Sequence, residues 1–527
     1  MHFVCYLLII FYVYRIIKKF NINKLILLER CENVLENYLE DYVNDLYEKQ
    51  NIGVNKKQQG LYTKKDYFEL LKPVIELVLK YKDYSIDELR TILYEKSNIK
   101  NNLIDFVYKK GMSPGLVFSY GTKSYRETIL IGNKEEVSIN EKGEIVPSLE
   151  EMTEDTIFDL ASVTKIFTSL SILKLVENGI INLNDEIVKY DSRFKNLKGI
   201  TVYDLITFSV PLKTNKRIDK AYSREEAEQI LFDIEINQAS TNKKPYTDMG
   251  AMILKYVIEG ASGTNYYNFI YENILKPLNM NDTHVIVPTM KLNRVSSTNL
   301  DGKYYKDGSF TITTNIKKGV VYDSKARIMG QQEGILSGHA GLFSTVNDMT
   351  NLAKGIIYEQ VISDNSLKMM IKNRTGKKYI EDNKEKYVQY LGMLCYSKNP
   401  ILSNSELFHA MSGKSFASAG WTGTHLTVDL INELYFFMAA NRSHNRMTFI
   451  DSAQRNKIKI DENGKKTILL PNGDIKIDAT RFAWDKDNAI VHPVLKLSIQ
   501  YKMLGDVYSL INNINLQKQY SIKKIIT

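Results

Sequence analysis

Cysteine is nearly absent from these 527 residues: three, at positions 5, 31 and 395, with no close pair among them. The seven histidines, His2, His284, His339, His409, His425, His444 and His492, include no pair at zinc-peptidase spacing. Together these leave a metal site unsupported. Neither a P-loop nor a dinucleotide fingerprint follows a strand pattern, so no cofactor is expected. No block of one charge sign stands out either. The net charge of +9 comes from lysines scattered among acids, which argues against nucleic-acid binding and fits attraction to an anionic membrane or polymer. Internal repeats and low-complexity tracts are missing. No apolar run reaches the ~20 residues that span a bilayer. The longest, Phe3 to Tyr14, is followed by Arg15, Lys18 and Lys19, and snorkelling of Arg15 could extend it to Ile17. It reads as an anchor or as a buried helix; a cleaved signal peptide is disfavoured, because no basic stretch precedes it and no small-residue cleavage site follows. The trailing cations by themselves favour a cytoplasmic body.

What the chain does have is ample apolar content, 44%, enough for a large core, and one chemically suggestive run. Ser162-Val163-Thr164-Lys165 lies within Phe158-Asp-Leu-Ala-Ser-Val-Thr-Lys-Ile-Phe-Thr-Ser-Leu. Residues three apart share a helix face, so the Lys165 amine can reach the Ser162 hydroxyl and take its proton, provided burial keeps the amine neutral. A serine in the first helical turn also has unpaired backbone N–H groups beside it, one of which can face an oxyanion. Ile166, Phe167, Leu170, Leu173 and Val176 recur at helical spacing and predict a buried helix behind the serine. The spacing alone is unspecific: Ser97/Lys100, Ser171/Lys174, Ser192/Lys195, Ser240/Lys243 and Ser521/Lys524 share it.

The surrounding text is more specific. Glu154 to Ala161, the serine motif, and Leu175 to Asp185 resemble the nucleophile region of the serine β-lactamase and penicillin-binding-protein superfamily, in its class C-like branch of D,D-carboxypeptidases, esterases and β-lactamases. The resemblance continues through Tyr246-Thr247-Asp248-Met249-Gly250, Pro277 to Thr283, Gly319-Val320-Val321-Tyr322-Asp323, Gly338 to Thr345 and Ala419 to Thr424, and ends near Asn441-Arg442. It implies that Ser162 is the acylated nucleophile, Lys165 its general base and Tyr246 a phenol that passes protons. It also implies that the backbone N–H groups of Ser162 and Trp421 hold the oxyanion. A phenol ordinarily titrates near pH 10, so such a role requires cationic neighbours. Asp248 stands where many relatives carry Asn, and Thr247 with Asp248 could alternatively cap a helix starting at Met249.

The third motif departs from the family pattern. Relatives carry Lys-Thr-Gly or His-Thr-Gly on the strand beside the site, and the aligned residues here are Ser418-Ala419-Gly420. A cation there would pair with a penicillin or D-alanyl carboxylate, a charged contact of ~1.5–3 kcal/mol. Ser418 offers a neutral hydroxyl, which makes Lys414 and Arg442 candidate replacements, while Ala419 and Gly420 still let substrate approach. Trp421 is read as core or as a wall of the acyl pocket, and His339 as a loop histidine bonded to backbone or as a border of the cleft. Gly111-Met112-Ser113-Pro114-Gly115 fits the nucleophile-elbow pattern. It is discounted because Pro114 has no N–H and a strand follows the motif instead of preceding it.

The expected organisation is a hydrophobic and basic segment over 1–30 and a charged helical region over 31–105, with Val34, Leu35, Leu39, Val43 and Leu46 near helical spacing and a second helix from Tyr67 to Tyr81. The hydrolase domain follows over 106–450. Residues 451–527 are expected to add a hairpin over Lys457 to Ile477, turning at Asn472-Gly473, and a closing helix, Val494 to Ile511, of the same domain. Strands at Leu116–Tyr120, Glu127–Ile131, Thr424–Val428 and Leu434–Ala439 enclose a mainly helical middle. That order predicts an α+β fold whose antiparallel sheet is completed by both chain ends, and the resemblance implies a β-lactamase/transpeptidase-like sandwich with an inserted helical lobe. The function expected is acyl-enzyme hydrolysis of D-alanyl cell-wall peptides in peptidoglycan, by a membrane-associated protein of the cell envelope. Small-ester hydrolysis and weak β-lactamase activity are the alternatives, as is a non-catalytic envelope protein that binds wall fragments.

Overall fold

Leu434–Ala440 reads Leu-Tyr-Phe-Phe-Met-Ala-Ala, and all seven residues are buried. A strand without polar alternation must be covered on both faces, and this one lies at the centre of the main sheet. The computed structural model describes residues 40–49, 62–81, 83–122, 125–239, 245–375, 378–381, 384–387, 390–398, 406–407, 411–471, 473, 475–477 and 493–509. The N-terminal apolar segment, with the anchor read from it, and Val34, Leu35 and Leu39 lie outside them. Among the described residues no helix is long and apolar enough to cross a membrane.

The chain divides into two units. One comprises Met1–Ile99, Ala410–Gly413 and Asn488–Thr527. Its helices are α1 (40–49), α2 (Lys64–Lys80) and α3 (Ile86–Lys96), with a further helix over 493–509. Reciprocal capping boxes, Thr63 with Asp66 and Ser85 with Glu88, start α2 and α3, each satisfying two otherwise orphaned backbone donors. The 493–509 helix belongs here, and not to the hydrolase domain that the sequence suggested. Gln500 donates to the Leu70 carbonyl at 3.3 Å and Tyr501 to that of Arg90 at 3.2 Å, and its buried Leu495, Met503 and Leu504 need an apolar partner.

The second unit, Lys100–His409 with Lys414–Asp487, contains the main sheet. Its strands are β1 (Gly115–Gly121), β2 (Arg126–Ile139), β3 (Ile145–Glu151), then, after a short β4 (Ile157–Asp159) and a long middle, β8 (Tyr396–Ser397), β9 (Ser415–Ala419), β10 (Thr424–Asp429) and β11 (Leu434–Ala440). The order is β8-β9-β10-β11-β1-β2-β3, antiparallel throughout, with Leu116 opposite Ala440 and Tyr120 opposite Phe436. Both chain ends therefore complete one sheet, as the strand pattern predicts. Ser113, the discounted nucleophile, is buried, donating to the Gly115 carbonyl at 2.8 Å and lying 3.2 Å from the Asn441 side chain.

Helix α4 (Thr164–Glu177) is the central helix of this unit, with eleven of its residues buried, from Thr164 to Leu173 and Leu175. Among its buried polar side chains, Ser171 donates to the Phe167 carbonyl, Ser169 to that of Met393, and Thr168 meets Tyr266. Helix α5 (Met249–Ser262) packs beside it. Helix α6 (Val346–Ile357), N-capped by Thr345, lies against β1 and β11.

A second, six-stranded sheet went unforeseen. It is built from β5 (Asn299–Tyr304), β6 (Phe310–Ile316), β12 (Arg446–Ile450), β13 (Ile458–Ile460), β14 (Lys466–Leu469) and β15 (Ile475–Ile477), ordered β13-β14-β15-β12-β5-β6. The middle of the chain is thus less helical than expected: Asp301 and Gly302 obscure the strand signal of β5. Instead of one hairpin, Ile458 to Ile477 forms a three-stranded meander whose extra turn, Asp461–Lys465, carries Gly464 at positive φ. Asn472 lies outside the described residues.

Candidate active site

The short strand β4 leads directly into the turn that carries Ser162. It pairs with β7 (Phe343–Thr345), Asp159 opposite Phe343, and the Leu160 N–H continues the ladder to the Leu342 carbonyl at 2.9 Å. The chain then reverses through Ala161, whose φ of 45° is in the left-handed region that a Cβ disfavours. Two bonds hold it there. Fully buried Asp159 accepts from the Ala161 N–H at 2.8 Å and, with its other oxygen, from the Tyr322 N–H at 2.6 Å. Burial raises the Asp159 carboxyl to about 6 despite those two donors. Ser162 follows in the 3₁₀ turn Ala161–Val163, whose bonds are donated by Val163 and Thr164.

From the first turn of α4, Lys165 reaches back to Ser162 with its Nζ 3.0 Å from Oγ. The side chain is 1% exposed. Its ammonium has three N–H groups and three acceptors: Ser162 Oγ, Asp248 Oδ1 at 2.8 Å and the His339 carbonyl at 3.2 Å. Burial alone would push the amine down, as the sequence reading assumed. The Tyr246 phenol and the Asp248 carboxylate outweigh burial and hold Lys165 above the ordinary lysine range. Burial by itself would keep the amine neutral, and these neighbours instead favour its ammonium form.

Tyr246 is placed by aromatic packing, with Phe208 stacked at 5.2 Å and Tyr396 of β8 stacked at 5.7 Å, the latter nearly parallel at 4°. The Lys165 ammonium lies 5.0 Å from its ring centre. Thr247 accepts from the Met249 N–H at 3.3 Å, so the capping alternative holds for Thr247. Asp248 sits at the N-cap position of α5 without a side-chain cap bond; its carboxylate turns to Lys165 and, through Oδ2, to Lys325 at 3.2 Å.

Lys325 was not singled out in the sequence. It also reaches Asp323 Oδ2 at 3.1 Å, while Asp323 Oδ1 faces His339 Nε2 at 3.0 Å. The other ring nitrogen of His339 lies 2.7 Å from the Ser337 carbonyl. Both readings of that histidine thus hold in part, since it is bonded to loop backbone and its own carbonyl receives Lys165. The loop fits because Gly338, at φ 34°, has no Cβ; one would strike the Ala251 backbone of α5. Burial opposes ionisation of both aspartates, yet the Lys165 ammonium beside Asp248 and the His339 ring with the Lys325 ammonium beside Asp323 hold each below the usual carboxylate range. Ligand-type atoms of Asp248, Asp323 and His339 come within 4.8 Å of one another. The Lys325 ammonium already bridges the two carboxylates, so the cluster reads as an ion-pair network.

The edge of β9 abuts the Ser162 turn. Thr424 Oγ1 donates to the Leu160 carbonyl at 2.9 Å and Thr422 Oγ1 to that of Asp159 at 2.7 Å. A Cβ on Gly420 would lie 2.5 Å from the Leu160 carbonyl oxygen, so only glycine allows this approach. Gly420 and Gly423 close a tight turn around Trp421, with Gly420 N–H to Thr424 O at 2.7 Å and Gly423 N–H to Gly420 O at 3.1 Å. The Trp421 side chain is 47% exposed, which rules out the core reading. Arg442 lies under it, its guanidinium 4.8 Å from the ring and its Nε 2.5 Å from the Trp421 carbonyl, so this cation is engaged in holding the loop. Ser418 is buried and pairs with Leu426 across the sheet, next to Ala419 opposite His425. Lys414 is four residues back along the strand, about 13 Å at 3.3 Å per residue.

Only Ser162 and Lys165 were close in sequence; the fold brings Tyr246, Asp248, Asp323, Lys325 and His339 to them. Asp323 and His339 stand in motifs the resemblance includes, whereas nothing local marks Lys325.

A hydroxyl at a strained turn, a buried lysine one helical turn on, a stacked tyrosine and a glycine-edged strand form a recognisable constellation, and comparison with known proteins agrees. A protein of Escherichia coli K12 named "Putative D-alanyl-D-alanine carboxypeptidase" is 28% identical over 315 residues, 55% of this chain and 70% of that protein. One of the same name from Salmonella typhi is 28% identical over 316 residues, 55% and 71% of the two chains. Among solved structures, "EstCE1, a hydrolase with promiscuous acyltransferase activity" shares the fold at TM-score 0.50 and 12% identity, covering 69% of this chain and 96% of its own. A class C β-lactamase from Rhodobacter sphaeroides scores 0.47 at 16% identity, covering 66% of this chain and 94% of its own. With the Beta-lactamase family model matching residues 136–458, more than half of the chain, this protein belongs to the serine β-lactamase and penicillin-binding-protein superfamily of hydrolases.

Proposed function

We propose that this protein hydrolyses D-alanyl cell-wall peptides through an acyl-enzyme on Ser162. The observation that carries the reading is the contact of 3.0 Å between Ser162 Oγ and buried Lys165. Because its neighbours favour the Lys165 ammonium, the serine proton is received by Lys165 and Tyr246 acting together and lacking one proton between them. Ser162 Oγ bonds to the carbonyl carbon while its proton passes to that pair. The carbonyl electrons move onto oxygen, where the backbone N–H groups of Ser162 and Trp421 receive them. Collapse breaks the C–N bond, and the departing D-alanine amine takes a proton back from the pair. Water then adds to the ester by the same route in reverse. Asp248, Ser418, Ala419 and Gly420 line the substrate's path, and the net positive charge suits an anionic wall polymer.

Small-ester hydrolysis is the second reading. It is favoured by Ser418, a buried neutral hydroxyl where a carboxylate-binding cation would stand, and by the engagement of Arg442 elsewhere. Intact-mass spectrometry after exposure to a penicillin, beside Ser162→Ala, tests both. A stable adduct in wild type and none in the variant supports the wall-peptide reading. No adduct, with p-nitrophenyl acetate hydrolysed by wild type alone, supports the esterase. Neither adduct nor turnover, with wall fragments still bound, leaves a binding protein.

A further inference from the structure

We propose that Lys325 is a positioning residue for acyl transfer: by sharing the Asp248 carboxylate with Lys165, it sets how tightly Asp248 holds the Lys165 proton. The inference deepens the acyl-transfer reading of Ser162 and rests on it.

The two ammonium groups take opposite oxygens of one carboxylate, Lys165 on Oδ1 at 2.8 Å and Lys325 on Oδ2 at 3.2 Å. An aspartate with a single buried partner would fix the proton on Lys165, since removing it would strand a buried anion. With Lys325 on its other oxygen, Asp248 keeps a counter-ion when Lys165 or its phenol partner gives up a proton. Asp248 and Lys325 therefore form a matched pair.

Lys325 is equipped for the task. Its side chain is 21% exposed, and a second carboxylate, Asp323, holds it from the other side at 3.1 Å. Burial pulls its ammonium down, but Asp248 and Asp323 together raise it above the ordinary range, so it stays a cation. The charged groups around the pair form a chain of contacts, and Asp219, itself paired with Arg217 at 2.7 Å, also faces Lys325. Lys165 faces Tyr246, Asp248, Ser162 and the His339 carbonyl. Asp248 faces Lys165, His339 and Lys325. Asp323 faces His339 and Lys325, with Arg327 and Asp159 beyond. Anions and cations alternate from Lys165 to Asp323, and among the described residues Lys325 is the link that bridges Asp248 and Asp323.

The test uses an alkyl phosphonofluoridate on the full-length protein, read as mass gain against pH. In that reaction the Ser162 Oγ–P bond forms, the P–F bond breaks, fluoride leaves with the bonding electrons, and the serine proton passes to the Lys165–Tyr246 pair. The rate has an acid limb where Lys165 holds its proton. Lys325→Met removes a positive neighbour and is expected to move that limb up by about one pH unit, a tenfold slower reaction at a fixed pH on the limb. Asp248→Asn is expected to move it down. The double variant Asp248→Asn/Lys325→Met, which deletes one charge of each sign and so also guards against misfolding of the single variant, is expected to sit at Asp248→Asn, because Lys325 acts through that carboxylate. Lys325→Arg keeps the charge and is expected to keep the limb. A limb unchanged in Lys325→Met, or a double variant shifted from Asp248→Asn as far as Lys325→Met is from wild type, overturns the role of Lys325 alone. No labelling of wild type at any pH overturns the acyl-transfer reading and this role with it.

Discussion

Asp159 is buried, and it holds the turn that carries Ser162. Its two oxygens satisfy the N–H groups of Ala161 and Tyr322, one on the nucleophile turn and one on the loop leading to Asp323. Asparagine can accept at only one of these places and would set its NH₂ against a donor at the other, so Asp159→Asn is expected to destabilise the protein by about 1–3 kcal/mol and to slow Ser162 labelling. The carboxyl is raised to about 6 from 3.8. Between roughly pH 4 and 6 the folded chain therefore binds a proton that the unfolded chain has lost, and this group's contribution falls as pH rises through that window. Urea midpoints at pH 4, 5 and 6 should show wild type losing ground relative to Asp159→Asn. Asp248 and Asp323 act with the opposite sign: held below the usual range, they contribute stability above the ordinary carboxylate pKa and lose it only in stronger acid. Of these residues, Ser162 and Lys165 are legible in the sequence because three positions on a helix are neighbours whatever the fold. Asp159 is hidden by its ordinary context, and Lys325 by a partner 77 positions away, for which no periodicity exists.

At the scale of elements, the site depends on how closely β9 and the Gly338–Gly341 loop approach the start of α4. Gly420→Ala places a methyl against the Leu160 carbonyl, a rigid neighbour in a paired strand. Overpacking of this kind costs ~1–3 kcal/mol; here it is expected to displace Trp421 as well, so kcat should fall more than thermal stability does. Thr345→Ala is the companion measurement. It removes the cap of α6, where Thr345 Oγ1 accepts from the Asp348 N–H at 3.2 Å. The expected loss is about 1 kcal/mol in urea denaturation, with Ser162 labelling unaffected. The elements that were legible, β1, β10, β11, α2 and α4, have a strong apolar pattern of one period. The six-stranded sheet was not, because its strands are three to seven residues long and are interrupted by Asp301-Gly302 or split by Gly464. Segments that short carry too few periods to declare themselves.

For the whole molecule, the governing fact is that β1 lies between β2, its neighbour in sequence, and β11, which comes much later. A chain ended at residue 400 would retain Ser162, Lys165, Tyr246, Asp248, Lys325 and His339 yet lack β9 to β11. It is expected to show neither a cooperative unfolding transition nor Ser162 labelling, since the turn would have lost Thr422 and Thr424 as partners. The same topology has a consequence on the ribosome. At about 5–20 residues per second, the roughly 300 residues between β1 and β11 take on the order of 15 to 60 s to synthesise. Through that interval β1 presents a bare apolar edge, a standing invitation to a chaperone. Ser162 leaves the ribosome early, and the turn that carries it gains Thr422 and Thr424 as partners only when the last strands dock.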